Sequence, residues 1–453
     1  MKHKGYKVIA SAALLVAFGQ AASGQTARKL TMDEAVKLSL QNSKQLKLSA
    51  ARVDEAVANY RNEWNNHLPD VKVSGSYLRL DNPTVDLKVK LGGSSTDTSA
   101  HAGSRSPLKV NQAVYGIANA NLTLFSGFRI KYGVESARYL EQAARLDAEN
   151  DKEDIALNAT NAYTNLYKSK KSVELVEENL REQKQRVTDF SNLEKNGLLA
   201  RNDLLKAELQ QSNMELTLLD AQSNLSIATI NMDLMLGLPE DTQLAPDEAG
   251  FGLPGDAGTE TGWELAALHN RKDISSLTYR EKAAEATIRS TKGEYYPGIA
   301  LTGGYIAADI PNLLTITNAV NIGIGVQYNL GSLWKTGAKV EQAQARMQQI
   351  TARQDMLTDE VRLQISQAYQ SYLLSLKKID VYGRAIEQAN ENYRITRNKY
   401  DNSLATTTDL LEADVAQLQA KLNHSFSQAD ALVAYKKLQQ TAGMLIENNK
   451  PGK

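Results

Sequence analysis

The side chains that could do chemistry are few. Histidine occurs at 3, 67, 101, 269 and 424, without metal-ligand spacing. There is no cysteine, which excludes disulfides, thiolate metal sites, a thiol nucleophile and a lipidated N-terminal cysteine. No glycine-rich phosphate loop or nucleophile elbow is present, and the methionines are scattered, so neither a cofactor nor a soft-metal relay is expected. His67 stands beside Pro69 at a helix end, where capping or packing is its expected use. Asp409 and Glu412 stand at i and i+3, on one helical face, while the matching place in the first half reads Asp203 and Lys206. Gly197 can take a positive φ where a long helix reverses. Ser403 replaces glycine at the equivalent place, so that turn is expected to differ. Leu198, Leu199 and Leu404 then sit at turns, as a patch for a partner or as packing of the turn against its neighbour. These residues can bind and gate; no enzyme is expected.

The elements that position them come in two copies. Shifted by 228, Leu40, Asn42 and Lys44 meet Leu268, Asn270 and Lys272, and Pro69, Gly75 and Tyr77 meet Pro297, Gly303 and Tyr305. Shifted by 206, Ala162 and Tyr163 meet Ala368 and Tyr369, Asn196, Leu198, Asp203 and Leu204 meet Asn402, Leu404, Asp409 and Leu410, and Gly237 meets Gly443. Each half reads as a helix (31–66 and 262–294), two strands around a polar loop, a very long helix (128–195 and 334–401), a tight turn and a returning helix (202–236 and 407–445). No proline falls between 108 and 238 or between 312 and 450, as long helices require. Ala159, Ala162, Tyr163, Leu166 and Tyr167 keep i, i+3, i+4 spacing, and Leu411, Val415, Leu418 and Leu422 form a heptad seam.

The strands show a period of two. Val320, Ile322, Ile324 and Val326 alternate with Asn321, Gly323, Gly325 and Gln327; Ala118, Ala120, Leu122 and Leu124 alternate with Asn119, Asn121 and Thr123; and Val71, Val73 and Tyr77 alternate with Lys72, Ser74 and Ser76. One apolar and one polar face over about ten residues fits a transmembrane barrel strand, or a half-buried soluble sheet. Trp64, Phe125, Phe128, Tyr295, Tyr296 and Trp334 lie where helix meets strand, as an interfacial girdle would. Four strands cannot close a barrel, and barrels start at about eight, so two or three copies are required.

The 453 residues carry 52 basic and 52 acidic side chains, a zero net charge that removes the footprint of a nucleic-acid binder. Lys2, Lys4 and Lys7, the apolar run 8–18, and Ala22 and Gly24 read as a secretory signal over 1–24. The remaining parts are a first repeat over 25–236, an irregular periplasmic linker over 237–262, a second repeat over 263–446 and a short polar tail over 447–453. A mobile extracellular loop is expected around Gly92–Thr98 and a shorter one near Asp309–Asn318.

The junctions His67-Leu68-Pro69 and Tyr295-Tyr296-Pro297, the turn Leu124-Phe125-Ser126-Gly127, the Ala-Tyr pairs and the duplicated Asn-x-Leu…Asp-Leu-Leu tips resemble the TolC-type outer-membrane efflux protein family over about residues 30–445. The resemblance implies a mainly α fold with a β-barrel contribution. Long antiparallel coiled-coil helices would form an α-barrel, and four strands per chain would form one twelve-stranded barrel in a homotrimer within outer-membrane lipid. The implied function is a passive exit duct, with a periplasmic adaptor and an inner-membrane transporter as partners. It makes the tip residues Gly197, Leu198, Leu199, Ser403 and Leu404 adaptor contacts, and Asp409 and Glu412 a constriction ring. Asp203 and Tyr400 match a gate network whose arginine is replaced here by Ala405, with Arg201 as a possible substitute. Solute efflux is the expectation; type I protein secretion and a pore-free periplasmic coiled-coil scaffold are the alternatives.

Overall fold

The computed structural model describes residues 28–81, 110–240, 242–248, 251, 255–311 and 313–446. The leader, the Gly92–Thr98 loop and the tail over 447–453 lie outside the described residues. The first half runs β1 (Arg28–Leu30), α1 (Met32–Asn42), α2 (Lys44–Asn65), β2 (Asp70–Arg79), β3 (Gln112–Phe125), α3 (Arg129–Lys195) and α4 (Arg201–Leu236). After β4 (Leu244–Pro246), the second half runs α5 (Glu260–Asn270), α6 (Lys272–Lys292), β5 (Gly298–Ile310), β6 (Leu314–Gln327), α7 (Ser332–Asp401) and α8 (Thr407–Thr441). No described helix is long and apolar enough to cross a membrane.

The rods α3 and α7 have 67 and 70 residues. At 1.5 Å per residue each is roughly 100 Å long. They are not amphipathic in the ordinary sense, because different stretches of each face meet different neighbours. Ala159, Ala162, Tyr163, Leu166 and Tyr167 are all buried, as their spacing predicts. The seam on α8 holds only in part: Leu411 and Leu418 are buried, while Val415 is exposed in the single chain.

Each short helix preceding the strands is two helices, not one. The breaks fall at Ser43 and Arg271, which take extended ψ angles of 121° and 125°. Neither break involves glycine or proline, so the pattern concealed them. Ser43 starts α2 by accepting from the Leu46 amide at 3.2 Å. Asn42 donates to the Leu236 carbonyl at 2.6 Å, and Arg271 donates to the Thr441 carbonyl at 3.1 Å. The kinks therefore seat α1 and α5 on the ends of α4 and α8. Gly237 and Gly443, at φ 70° and 69°, end those helices, and a Cβ on either would press on Asn42 or on the Asn270–Arg271 backbone. The duplicated Asn and Gly positions are thus the two sides of one contact made twice.

The linker is not wholly irregular. Its β4 pairs in parallel with β1, and Phe251 stacks on Tyr167 with ring centroids 4.1 Å apart. The fully buried Tyr163 hydroxyl donates to the Leu30 carbonyl at 2.9 Å and accepts from the Asp247 amide at 2.9 Å. Burial pushes that hydroxyl up to about 12.

The four long strands make one antiparallel sheet in the order β2-β3-β5-β6. The central β3–β5 pairing joins the two halves. Register puts Lys72, Asn119, Gly304 and Asn321 in one row on the polar face. Strands β5 and β6 are longer than the alternation suggests. The segment expected as a loop, 309–318, is mostly strand, and its turn occupies only 311–313. A bulge absorbs the excess: Asn318 sits at φ 55° where the register shifts opposite Ile306 and Ala308.

Candidate functional site

The tip lies where α3 turns into α4 and α7 into α8. The two turns are built alike, contrary to the expectation raised by Ser403. The Gly197 and Leu198 amides donate to the Glu194 and Leu193 carbonyls, both at 2.9 Å. The Ser403 and Leu404 amides donate to the Tyr400 and Lys399 carbonyls at 2.9 and 2.7 Å. Gly197 and Ser403 take φ 73° and 60°, so serine adopts the left-handed conformation that glycine occupies in the other turn. Asn196 and Asn402 each donate to the carbonyl four residues back at 2.7 Å.

Leu198 is 74% exposed and Leu404 is 77% exposed. Leu199 differs from both: it packs against the cluster of Phe190, Leu204, Ala207 and Leu410. Tyr400 packs there too, stacked on Phe190 at 5.7 Å, and burial raises its hydroxyl above the ordinary phenol value. Asp203 pairs with Lys206 at 3.3 Å, and Lys206 also donates to Thr408 on α8 at 3.2 Å. Among the described residues, the ion-pair partner of Arg201 is Glu194, at 3.9 Å on the surface. Arg201 is thus not brought to Asp203 and Tyr400.

Asp409 and Glu412 are both exposed on the first turns of α8. Asp409 also closes a capping box with Thr406. Its carboxylate accepts from the Thr406 amide and hydroxyl, both at 2.8 Å, and its own amide donates to the Thr406 hydroxyl at 3.1 Å. The Thr406 amide first, then the hydroxyl, hold the Asp409 carboxyl below its ordinary value. Helix α4 has no such cap, since Ala200 stands at its N-cap.

Sequence reasoning missed a buried polar cluster roughly 12 Å above the turns. Asp414 is fully buried, and Arg186 on α3 reaches it at 3.1 Å. The same guanidinium donates to the Tyr393 hydroxyl on α7 at 3.0 Å. Asn179 donates to Asp414 at 3.3 Å, and Gln183 donates to it as well. Burial pulls Arg186 down, and Asp414 outweighs it, so the guanidinium stays charged. A signal was present: Asp414 falls between Leu411 and Leu418, an acid on the buried stripe.

The six aromatics do stand at the helix–strand junctions. Trp64 is in the last turn of α2, Phe125 ends β3, Phe128 precedes α3, Tyr295 and Tyr296 precede β5, and Trp334 is in the first turn of α7. Phe125 and Phe128 meet edge to face at 5.3 Å. The His67 ring lies 3.1 Å from the Trp64 carbonyl, a capping position. Among the described residues, no group of His, Cys, Asp and Glu could hold a metal ion.

The family model for outer membrane efflux proteins matches residues 35–238 and 265–444. The chain is similar to the outer membrane efflux protein BepC of Brucella suis biovar 1, 24% identical over 92% of this chain and 88% of the relative. It is also similar to the alkaline protease secretion protein AprF of Pseudomonas aeruginosa, 22% identical over 70% of this chain and 66% of the relative. The fold matches the Campylobacter jejuni CmeC outer membrane channel with a TM-score of 0.77, at 15% identity over 91% and 86% of the two chains.

Proposed function

The chain belongs to the outer membrane efflux protein family, and on that premise we propose that it is the passive exit duct of a tripartite export system, working as a homotrimer. A twelve-stranded barrel in outer-membrane lipid would carry substrate out. A periplasmic adaptor and an inner-membrane transporter would feed the opposite end.

The observation that carries this reading is the sheet. Its outer strands, β2 and β6, are each paired on one side only among the described strands. On β6, Val320 and Ile322 are 77% and 80% exposed, and Val73 on β2 is 80% exposed. A soluble protein does not leave such a face in water. Lipid on the apolar face and pairing of β6 with β2 of the next copy satisfy both the apolar face and the open edges. Three copies supply twelve strands, enough to close a barrel. The exposed stripe Leu209, Leu216, Leu219, Ile227 and Leu234 on α4 supports side-by-side copies along the rods as well.

In this reading Asp409 and Glu412 ring the narrow end, and Gly197, Leu198, Ser403 and Leu404 meet the adaptor, with Leu199 fastening the turn beneath. Asp203 and Tyr400 steady the tip. Trp64, Phe125, Phe128, Tyr295, Tyr296 and Trp334 mark the lipid boundary. Residues 1–24 act as a cleaved leader, and the linker over 237–262 is periplasmic. The similarity to a protease secretion protein favours type I protein secretion as a second reading.

Multi-angle light scattering in detergent tests the assembly; a stable, detergent-independent monomer contradicts it. Deleting the gene then separates the two readings, since solute accumulation follows for efflux and a lost extracellular protein for secretion.

A further inference from the structure

Three ion pairs run down the seam where α3 lies antiparallel to α8. They are Lys168–Asp430, Glu178–Lys421 at 3.3 Å and Arg186–Asp414 at 3.1 Å. The first two are on the surface. The last, nearest the tip, is buried and enclosed by Asn179, Gln183 and Tyr393. A buried ion pair adds little net stability but is intolerant of displacement, because sliding either helix leaves a charge unpaired out of water.

Most tip and junction features of this chain occur twice, but this one does not. At the shift of 206, Asn179, Gln183 and Arg186 meet Ala385, Ala389 and Asn392, and Asp414 meets Glu208. The seam related to α3–α8 by the repeat is α7–α4. In a ring of copies that seam falls between one chain and the next. Its exposed sides are apolar: Leu209, Leu216 and Leu219 on α4, and Leu363 and Leu374 on α7. Apolar contact is non-directional and tolerates sliding.

We propose that α3–α8 is the fixed seam of the tip, so that the four tip helices of each chain move as one body and dilation runs through the α4–α7 seams between copies. Arg186 and Asp414 are the positioning pair. This rests on the trimeric-duct reading.

The test uses the full-length protein, which has no native cysteine. A Glu178→Cys/Lys421→Cys variant is bridged by a short reducible bifunctional thiol reagent, which locks the α3–α8 seam. Export in cells and conductance in planar bilayers are expected to stay unchanged. A loss of either that reductant restores would overturn the proposal. In parallel, hydrogen exchange is followed in Asp414→Asn. Faster exchange is expected over 176–190 and 407–418 with the sheet over 298–327 unaffected, and the cross-link should reverse it. Exchange at the wild-type rate over 407–418 also overturns the proposal. A wild-type protein that forms no channel counts against the duct alone, and the exchange result still decides whether the seam is clasped.

Discussion

Gly127 and Gly293 stand back to back where the two halves meet beneath the sheet. A Cβ built on either one would fall onto the carbonyl oxygen of the other. Gly127 also holds a positive φ of 66°, followed by Phe128 at 63°. These two left-handed residues bend the chain from β3 into α3. The rods therefore leave the sheet at an angle fixed by a contact between backbones.

Gly127→Ala should cost about 1–2 kcal/mol for its conformation and a further 1–3 kcal/mol or so for the displaced backbone. Gly293→Ala should incur only the second cost, because its φ of −60° suits any residue. Thermal unfolding should rank wild type above Gly293→Ala above Gly127→Ala. Equal melting temperatures for the two variants would show that the left-handed bend is not strained.

The tip offers a cleaner comparison. Nothing lies within 4 Å of a Cβ placed on Gly197, so Gly197→Ala tests conformation without crowding. It should destabilise the turn by about 1 kcal/mol, and Ser403→Gly should stabilise the other turn by a similar amount. Differential scanning calorimetry of both variants checks the signs.

Much of this architecture was legible because the chain states it twice. Asn42 with Asn270 and Gly237 with Gly443 are repeated letters because each pair makes the same contact in its own half. Alternation in 320–326 revealed the face turned to lipid. The rest was hidden where geometry has no local signature. The breaks at Ser43 and Arg271 depend on where α4 and α8 end, far along the chain. The Arg186–Asp414 pair spans 228 positions and has no repeat equivalent, so no comparison of the halves could expose it.

Leu198 and Leu404 project from otherwise well-packed turns. Replacing both with Glu should abolish export and adaptor binding in a pull-down. It should leave trimer level and thermal stability unchanged, because neither side chain is buried. Loss of the trimer would instead mean that these leucines pack between copies.

Asp409 has two tasks that act on its proton in opposite directions. In a trimer, Asp409 and Glu412 would bring six carboxylates around one axis, and like charges raise one another's pKa and draw in cations. Within its own chain, the Thr406 amide and hydroxyl lower the pKa of Asp409. A carboxyl with a depressed folded-state pKa stabilises its cap above its unfolded pKa of about 3.9, and that contribution disappears as pH falls through the folded value. The capping box therefore keeps Asp409 charged at the mouth of the duct under acidic conditions. Asp409→Asn with Glu412→Gln should weaken cation selectivity and block by multivalent cations from the periplasmic side, while asparagine can still accept at the cap and preserve α8. Thr406→Val removes the hydroxyl but keeps the amide, so selectivity should be lost at a higher pH than in wild type. Reversal potentials in planar bilayers across a pH series measure both. A double variant with wild-type selectivity and block would show that these acids do not line the constriction. An unshifted pH profile in Thr406→Val would show that the cap does not set the charge of the ring.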